Sequence, residues 1–495
     1  MSDEGHQRRG PRQKSRTAPS ARARQGDQPR QTALRVLRAV SEEGAYANLE
    51  LPKALRRARL NGRDAAFTTE LTYGTLRMQG LYDAVIAHAS QRPVAQLDGG
   101  VLDVLRMGAH QVLGMRVPVH AAADQSVALA RSVAGQGASG LVNAVMRRIG
   151  ERSREEWLEV VTPTEPVAER LAVSLSHPVW VIKALRQALI GHGAATADDA
   201  DGALEALLAA HNVPADVSLV ARPGLAEVDE LLAAGAQPGR WSPFAAELGG
   251  GDPGAIEAVR DGRAAVQDEG SQLLALALAA VPVAERADGA PGRWLDLCAG
   301  PGGKAGLLAA LALRQGADLV ANELSEHRTE LVRQSLRPAL VKATDHGRQL
   351  IVRTGDGREI GQDEPETYDR VLVDAPCTGL GALRRRPEAR WRRQPADLVG
   401  LGPLQRDLLR AGIEATRPGG VIAYATCSPH LSETTFVVRD VLKKRDDVEV
   451  LDARQYLSDV ATVEMTGLGD GPHAQMWPHV HGTDGMFLAL LRKKS

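Results

Sequence analysis

The chain has 495 residues, yet only three cysteines and 3% aromatics. It also lacks a surplus of either charge: 60 Lys and Arg against 61 Asp and Glu leave a net charge of −1. Cys298, Cys377 and Cys427 are odd in number and none forms a Cys-x-x-Cys clip, which argues against a disulfide framework and a structural zinc site. No metal is expected. Balanced charge excludes a globally basic nucleic-acid coat, though not local basic patches. No window of eighteen residues is both apolar and uncharged, so no membrane span is expected. The N-terminus carries charges with no apolar core behind them, unlike a secretory signal. Together these absences point to the cytoplasm.

At about 150 residues per domain the length suggests roughly three domains. Residues 1–30 carry eight Lys and Arg against Asp3, Glu4 and Asp27, with almost nothing to bury. They read as a disordered basic tail, either a loose attractor of phosphate or simply solvated. Residues 31–150 read as helices. Ala33, Val36, Leu37 and Val40 recur at helical spacing, as do Phe67 with Leu71, Leu81 with Val85, Leu102 with Leu105 and Ala109, and Leu141 with Val145 and Ile149. Residues 151–262 are mixed and read as a small α+β linker module.

From residue 263 strands and helices alternate. Trp294–Leu297, Leu319–Asn322, Leu350–Arg353, Val371–Asp374 and Val421–Thr426 are short apolar runs. Ala305–Leu313, Leu404–Ala415 and Glu433–Lys443 have helical periodicity. Such alternation predicts an α/β doubly wound, Rossmann-like sheet over residues 263–495, which binds ligands at the carboxyl ends of its strands.

The informative residues fall at those ends. Cys298-Ala299-Gly300-Pro301-Gly302-Gly303-Lys304 follows the first strand and opens a helix, so its amides can face a ligand. The spacing is neither Gly-x-Gly-x-x-Gly nor a phosphate loop, because Ala305 follows Lys304. Glu323 ends the next strand, where an acid suits ribose hydroxyls. Asp356, in Gly355-Asp356-Gly357, follows the third. The fourth strand ends in Asp374-Ala375-Pro376-Cys377 and the fifth in Thr426-Cys427-Ser428. Parallel strands set these ends side by side, so two cysteines and an aspartate converge beside the glycine loop. Between them, residues 384–393 hold six arginines, including Arg385, Arg386 and Arg390, around Trp391. That strip reads either as a cationic RNA contact with a stacking aromatic or as a solvated loop.

Taken together, these motifs resemble the Sun/Fmu family of bacterial RNA cytosine-5 methyltransferases. The matching stretches are Val266–Gln272, Cys298–Lys304, Asp374–Cys377, Arg385–Trp391, Ala425–Ser428 and His481–Phe487. Val142–Arg148 resembles that family's NusB-like RNA-binding domain. The resemblance implies an all-α NusB-like N-terminal domain and an S-adenosylmethionine-dependent enzyme; a monomer is expected. Its substrate would be RNA, small-subunit ribosomal RNA first and tRNA as the alternative. Residues 298–304 would hold the methionine part of the cofactor, Glu323 the ribose and Asp356 the adenine. Cys427 would be the nucleophile and Cys377 would aid product release. Asp374 would lie near the reacting centre, serving as a protonated donor to ring nitrogen 3, with Lys304 favouring the thiolate. Relatives usually carry Ala where Gly300 stands and Asp where Glu323 stands. A non-catalytic RNA-binding assembly factor is the competing reading, which the intact Cys377, Cys427, Asp374 and Lys304 disfavour.

Overall fold

The computed structural model describes residues 26–494. The chain divides into two compact units, one ending at Ser176 and the other beginning at His177. Most of the basic tail expected over residues 1–30 lies outside the described residues. Its last part is helical, a departure from that expectation. Asp27 caps a helix over Gln28–Glu42 by accepting from the Arg30 amide at 3.0 Å, and a proline occupies its first turn. Arg30 is therefore not a tail residue: its Nε donates to Gln111 Oε1 at 2.6 Å.

The first unit contains only helices among its described residues. Leu71, Leu81, Val85, Leu105, Ala109, Val145 and Ile149 are buried together, as the 3.6-residue recurrence predicts. Two further helices, Arg154–Val161 and Val167–Ser174, extend this unit past the boundary expected at residue 150. The cause is Trp157, a fully buried ring whose indole N–H donates to Ile149 O at 2.9 Å. Ser153 and Glu156 form a capping box that starts its helix.

The second unit begins with helices Val179–Gly191 and Ala200–His211, then a small antiparallel sheet. Its strands β1 (Val217–Ala221), β2 (Gln237–Pro238), β3 (Ala245–Leu248) and β4 (Ala264–Val266) lie in the order β2-β3-β1-β4.

The large sheet follows, with β5 (Arg293–Asp296), β6 (Asp318–Glu323), β7 (Leu350–Thr354), β8 (Tyr368–Asp374), β9 (Thr416–Thr426), β10 (Val448–Leu451), β11 (Ala474–Gln475) and β12 (Phe487–Lys493). Its order is β10-β12-β9-β8-β5-β6-β7, with β11 beside β12. The five strands from β5 to β9 pair in parallel, while β12 runs antiparallel to β9. Val371, Leu372 and Val373 of β8 are fully buried, as expected of a parallel strand with both faces covered. The helix Gly303–Arg314 is apolar on most sides because it joins the core on one face of the sheet, with Leu307, Leu308 and Leu311. From β5 the chain winds outward through β6 and β7, then returns to lay β8 on the other side of β5. This reversal opens a crevice at the carboxyl ends of β5 and β8, the place where such sheets bind ligands.

Candidate active site

Backbone bonds between strand ends bring the predicted loops together. Leu297 N donates to Leu372 O, Ala299 N to Asn322 O, and Ala375 N to Ala425 O, each at 2.9 Å. The Asn322 amide donates to Gly355 O, also at 2.9 Å. Gly381 N reaches Cys427 O at 2.9 Å. A Cβ on Gly381 would stand 1.9 Å from Gly485 O, so close approach demands glycine here. This packing brings the His481–Phe487 motif against the Pro-Cys loop.

At the centre, the sulfurs of Cys377 and Cys427 are 3.4 Å apart in hydrogen-bond contact. Lys304 Nζ lies 2.9 Å from Asp374 Oδ2 as an ion pair. The two thiols are not equivalent. Cys427 is drawn below the ordinary thiol value by the S–H···S bond from Cys377; Lys304 and Arg386 add to this, while burial and Asp374 oppose it. Cys377 is pushed up by the same bond, by burial and by the charges of Cys427, Glu433 and Asp374. Burial pulls the Lys304 ammonium down, but Asp374 outweighs it and the net shift is upward.

Along the glycine loop, Gly302 has φ of 111° and caps the helix at Gly303. A Cβ on Gly303 would meet nothing within 4 Å. Pro301 is exposed, Ala299 is buried, and Cys298 packs against the apolar cluster that includes Leu297 and Val373. Glu323 is buried at the end of β6 and accepts from Gly300 N and Ser325 N, each at 3.0 Å. Arg328 lies 3.5 Å from its other side and donates to Gly300 O at 2.6 Å. Asp356 sits where expected, after β7, but both its oxygens are engaged by Arg358. An adenine amine at Asp356 would share its carboxylate with the exposed Arg358 guanidinium.

The arginine strip departs most from expectation. Arg390 is fully buried, donating to Asn212 Oδ1 and His211 O at 2.7 Å each. Arg385 reaches Asp268 at 2.8 Å and Asp484 at 3.2 Å. Arg393 donates to Thr378 O at 3.1 Å. These guanidiniums brace the loop from within instead of facing RNA. Arg386 is exposed and Trp391 half-buried, so they remain the surface of the strip.

Two site residues escaped the sequence reading. Asp296 ends β5, is 1% exposed, and is pushed up to about 8 by burial and by Asp374. Its place directly before the glycine loop was the available signal. Glu433 is buried against both cysteine loops, accepting from Thr378 N at 2.8 Å and Ser428 Oγ at 2.6 Å. No local pattern announces it, because its partner Thr378 is 55 residues away.

Fold and site define a Rossmann-like methyltransferase domain, in a chain that also carries a helical unit of NusB type. The family model "16S rRNA methyltransferase RsmB/F" matches residues 287–492, and that of the NusB family matches residues 27–151. The protein named "Putative methyltransferase Rv1407" of Mycobacterium tuberculosis is 50% identical over 476 residues, covering 95% of this chain and 98% of the relative. Ribosomal RNA small subunit methyltransferase B of Pseudomonas putida is 31% identical, covering 94% and 98%. The crystal structure of PH0851 shares the fold, with a TM-score of 0.74 at 21% identity over 94% of this chain and 98% of that one. The chain belongs to the RsmB/F methyltransferase family, whose members are RNA methyltransferases dependent on S-adenosylmethionine. Its residues fit that cofactor. The first-turn amides of Gly303–Arg314 suit a carboxylate. The open space at Gly303 admits a ligand against the backbone, and Glu323 keeps acceptor capacity for hydroxyls. No described helix is long and apolar enough to cross a membrane.

Proposed function

We propose that the protein methylates carbon 5 of a cytidine in RNA, and that this RNA is small-subunit 16S ribosomal RNA, acted on in the cytoplasm by a monomer. The observation that carries the reading is the cysteine pair, 3.4 Å between sulfurs, beside the Lys304–Asp374 ion pair at the switch point of the sheet. The ribosomal target rests on the name of the Pseudomonas putida relative, a ribosomal RNA small subunit methyltransferase B.

Carbon 5 of cytosine is a poor nucleophile. The Cys427 thiolate adds to carbon 6, and the electron pair of the 5,6 double bond moves to carbon 5. S-adenosylmethionine, when bound, supplies an electrophilic methyl group. Ring nitrogen 3 takes a hydrogen bond or proton as charge builds. The sequence reading gave that task to a protonated Asp374; with Lys304 at 2.9 Å, the donor is the Lys304–Asp374 pair. After transfer, the proton on carbon 5 leaves to a base acting through Cys377, and the electron pair of that C–H bond re-forms the 5,6 double bond as the Cys427 sulfur departs as a thiolate. Carbons 5 and 6 are reached only in an unpaired or flipped-out base. Residues 298–304 and Glu323 would hold the cofactor, and Arg386 with Trp391 would border the RNA.

Denaturing gels with labelled RNA and S-adenosylmethionine test this. Cys427→Ala should abolish turnover without trapping RNA. Cys377→Ala should accumulate a denaturation-resistant adduct. An adduct in the Cys427 variant would reverse the roles, and none in either would refute the covalent route. Bisulfite sequencing of RNA from a deletion strain should show one lost 5-methylcytidine in 16S RNA; loss from tRNA instead would move the substrate.

A further inference from the structure

We propose that Glu433 is a positioning residue whose buried carboxylate clasps the segments carrying Cys377 and Cys427 and makes the two sulfurs chemically unlike. This deepens the reading above and rests on it.

Glu433 stands in a short turn, Leu431–Glu433, six residues past Cys427 and beneath both cysteine loops. Its side chain receives four hydrogen bonds, all from neutral donors. Thr378 N gives one to Oε1 at 2.8 Å and Thr378 Oγ1 one to Oε2 at 2.5 Å. Ser428 Oγ gives one to Oε2 at 2.6 Å, and Gln405 Nε2 one to Oε1 at 3.3 Å. Thr378 follows Cys377 and Ser428 follows Cys427, so one carboxylate holds the neighbours of both sulfurs. Gln405 also donates to Pro376 O at 2.8 Å, and Tyr424 OH to Glu433 O at 2.8 Å. The clasp is thus braced from strand β9 and from the helix Asp397–Ala415.

A buried anion is costly to keep out of water. Bridging two loops does not need one, because a Gln at this position could accept from Thr378 N while the Thr378 and Ser428 hydroxyls rotate to accept from its amide. The charge therefore has a second consequence, and it falls on Cys377. Cys377 is faced by Glu433, Asp374 and Cys427, all of which disfavour its thiolate. Cys427 is faced by Lys304 and Arg386 as well as by Asp374. Tyr424 also lies near Cys377, and His430 near Glu433. Asp374 acts on both thiols, whereas Glu433 acts on Cys377 and Lys304 with Arg386 on Cys427; the difference leaves the proton on Cys377, where it can donate to the attacking sulfur 3.4 Å away.

Two variants separate clasp from charge. Glu433→Gln keeps the bridge and removes the charge; Glu433→Ala removes both. The direct readout is alkylation by iodoacetamide across pH, without RNA, with Cys377 and Cys427 resolved by peptide mass mapping. In Glu433→Gln the Cys377 profile should move to lower pH. Its kcat should fall tenfold or more, with KM for S-adenosylmethionine and the melting temperature near wild type. Glu433→Ala should lose more activity and melt lower, and Glu433→Asp should restore part of the wild-type profile. An unchanged Cys377 profile with wild-type kcat in Glu433→Gln would overturn the proposal. So would losses in Glu433→Gln that merely track cofactor affinity and melting temperature. Because alkylation needs no RNA, it judges Glu433 even if the adduct gels refute the cytosine chemistry.

Discussion

Replacing Gly300 with Ala puts a single methyl group into the cofactor loop, and the structure says what it meets. The added Cβ would lie 2.2 Å from Glu323 Oε2 and 2.9 Å from two nitrogens of Arg328, where ordinary contact begins at 3.4 Å. Arg328 is about half exposed and can swing away, but the Glu323 side chain is only 5% exposed. It is also held by two backbone amides. Displacing Oε2 breaks the Gly300 N–H bond to a carboxylate, a bond worth about 1.5–3 kcal/mol. If the loss falls on the bound state, affinity for S-adenosylmethionine drops roughly 10- to 100-fold, at about 1.4 kcal/mol per decade. Calorimetric titration of the cofactor reads this directly. Glu323→Asp withdraws the oxygen by one methylene, so the double variant Gly300→Ala with Glu323→Asp should bind at least tenfold better than Gly300→Ala alone. The family's usual Ala and Asp at these positions would then be one coupled change. Wild-type affinity in Gly300→Ala, or a double variant no better than the single, would refute this reasoning.

The arginine strip gives a paired expectation. Arg390→Ala should lower stability by about 2–4 kcal/mol, read by denaturant unfolding, because it strips two buried charge-assisted bonds. Arg386→Ala should weaken RNA binding and lower the salt slope by about one. His192 predicts acid sensitivity. Burial pushes it down to about 4, against the opposing bond at 2.9 Å to Pro429 O, two residues after Cys427. The folded state thus binds fewer protons than the unfolded chain, and stability present above about pH 6.5 is lost as pH falls toward 4. The full loss is about 3 kcal/mol. Melting temperatures from pH 7 to 4.5 should fall less steeply in His192→Gln, and parallel curves would dismiss His192 as the source.

The sequence was most legible where local pattern and burial coincide. Runs such as Val371–Val373 are apolar on both faces because they lie inside a parallel sheet, and the glycine loop follows β5 because a strand must turn there into the helix Gly303–Arg314. It was least legible where a charge finds its partner far along the chain. Arg385 and Arg390 look solvated in a run of arginines, yet Asp268 is 117 residues from the first and Asn212 is 178 from the second. No periodicity encodes such pairings. The start of the first helix was readable, since Asp27 and Pro29 are start signals, but the basic composition of the tail outweighed them.

The misread arginines and the unread Glu433 share a physical logic. A thiolate attacking a neutral ring needs a site that is dry enough to strengthen hydrogen bonds and fixed enough to keep two sulfurs on the same base. Loops at strand ends are not rigid by themselves, because their backbones lack ladder partners. Here Arg393 holds the backbone at Thr378, and Glu433 ties Thr378 to Ser428. Arg385 anchors the adjoining loop to Asp268 and Asp484. The charges that looked like a surface for substrate thus go largely into holding the nucleophile still. This leaves Arg386 as the exposed arginine whose charge also reaches Cys427. Arg386→Ala should therefore shift the Cys427 alkylation profile to higher pH while leaving that of Cys377 in place, and equal movement of both profiles would argue for a general field and not a directed one.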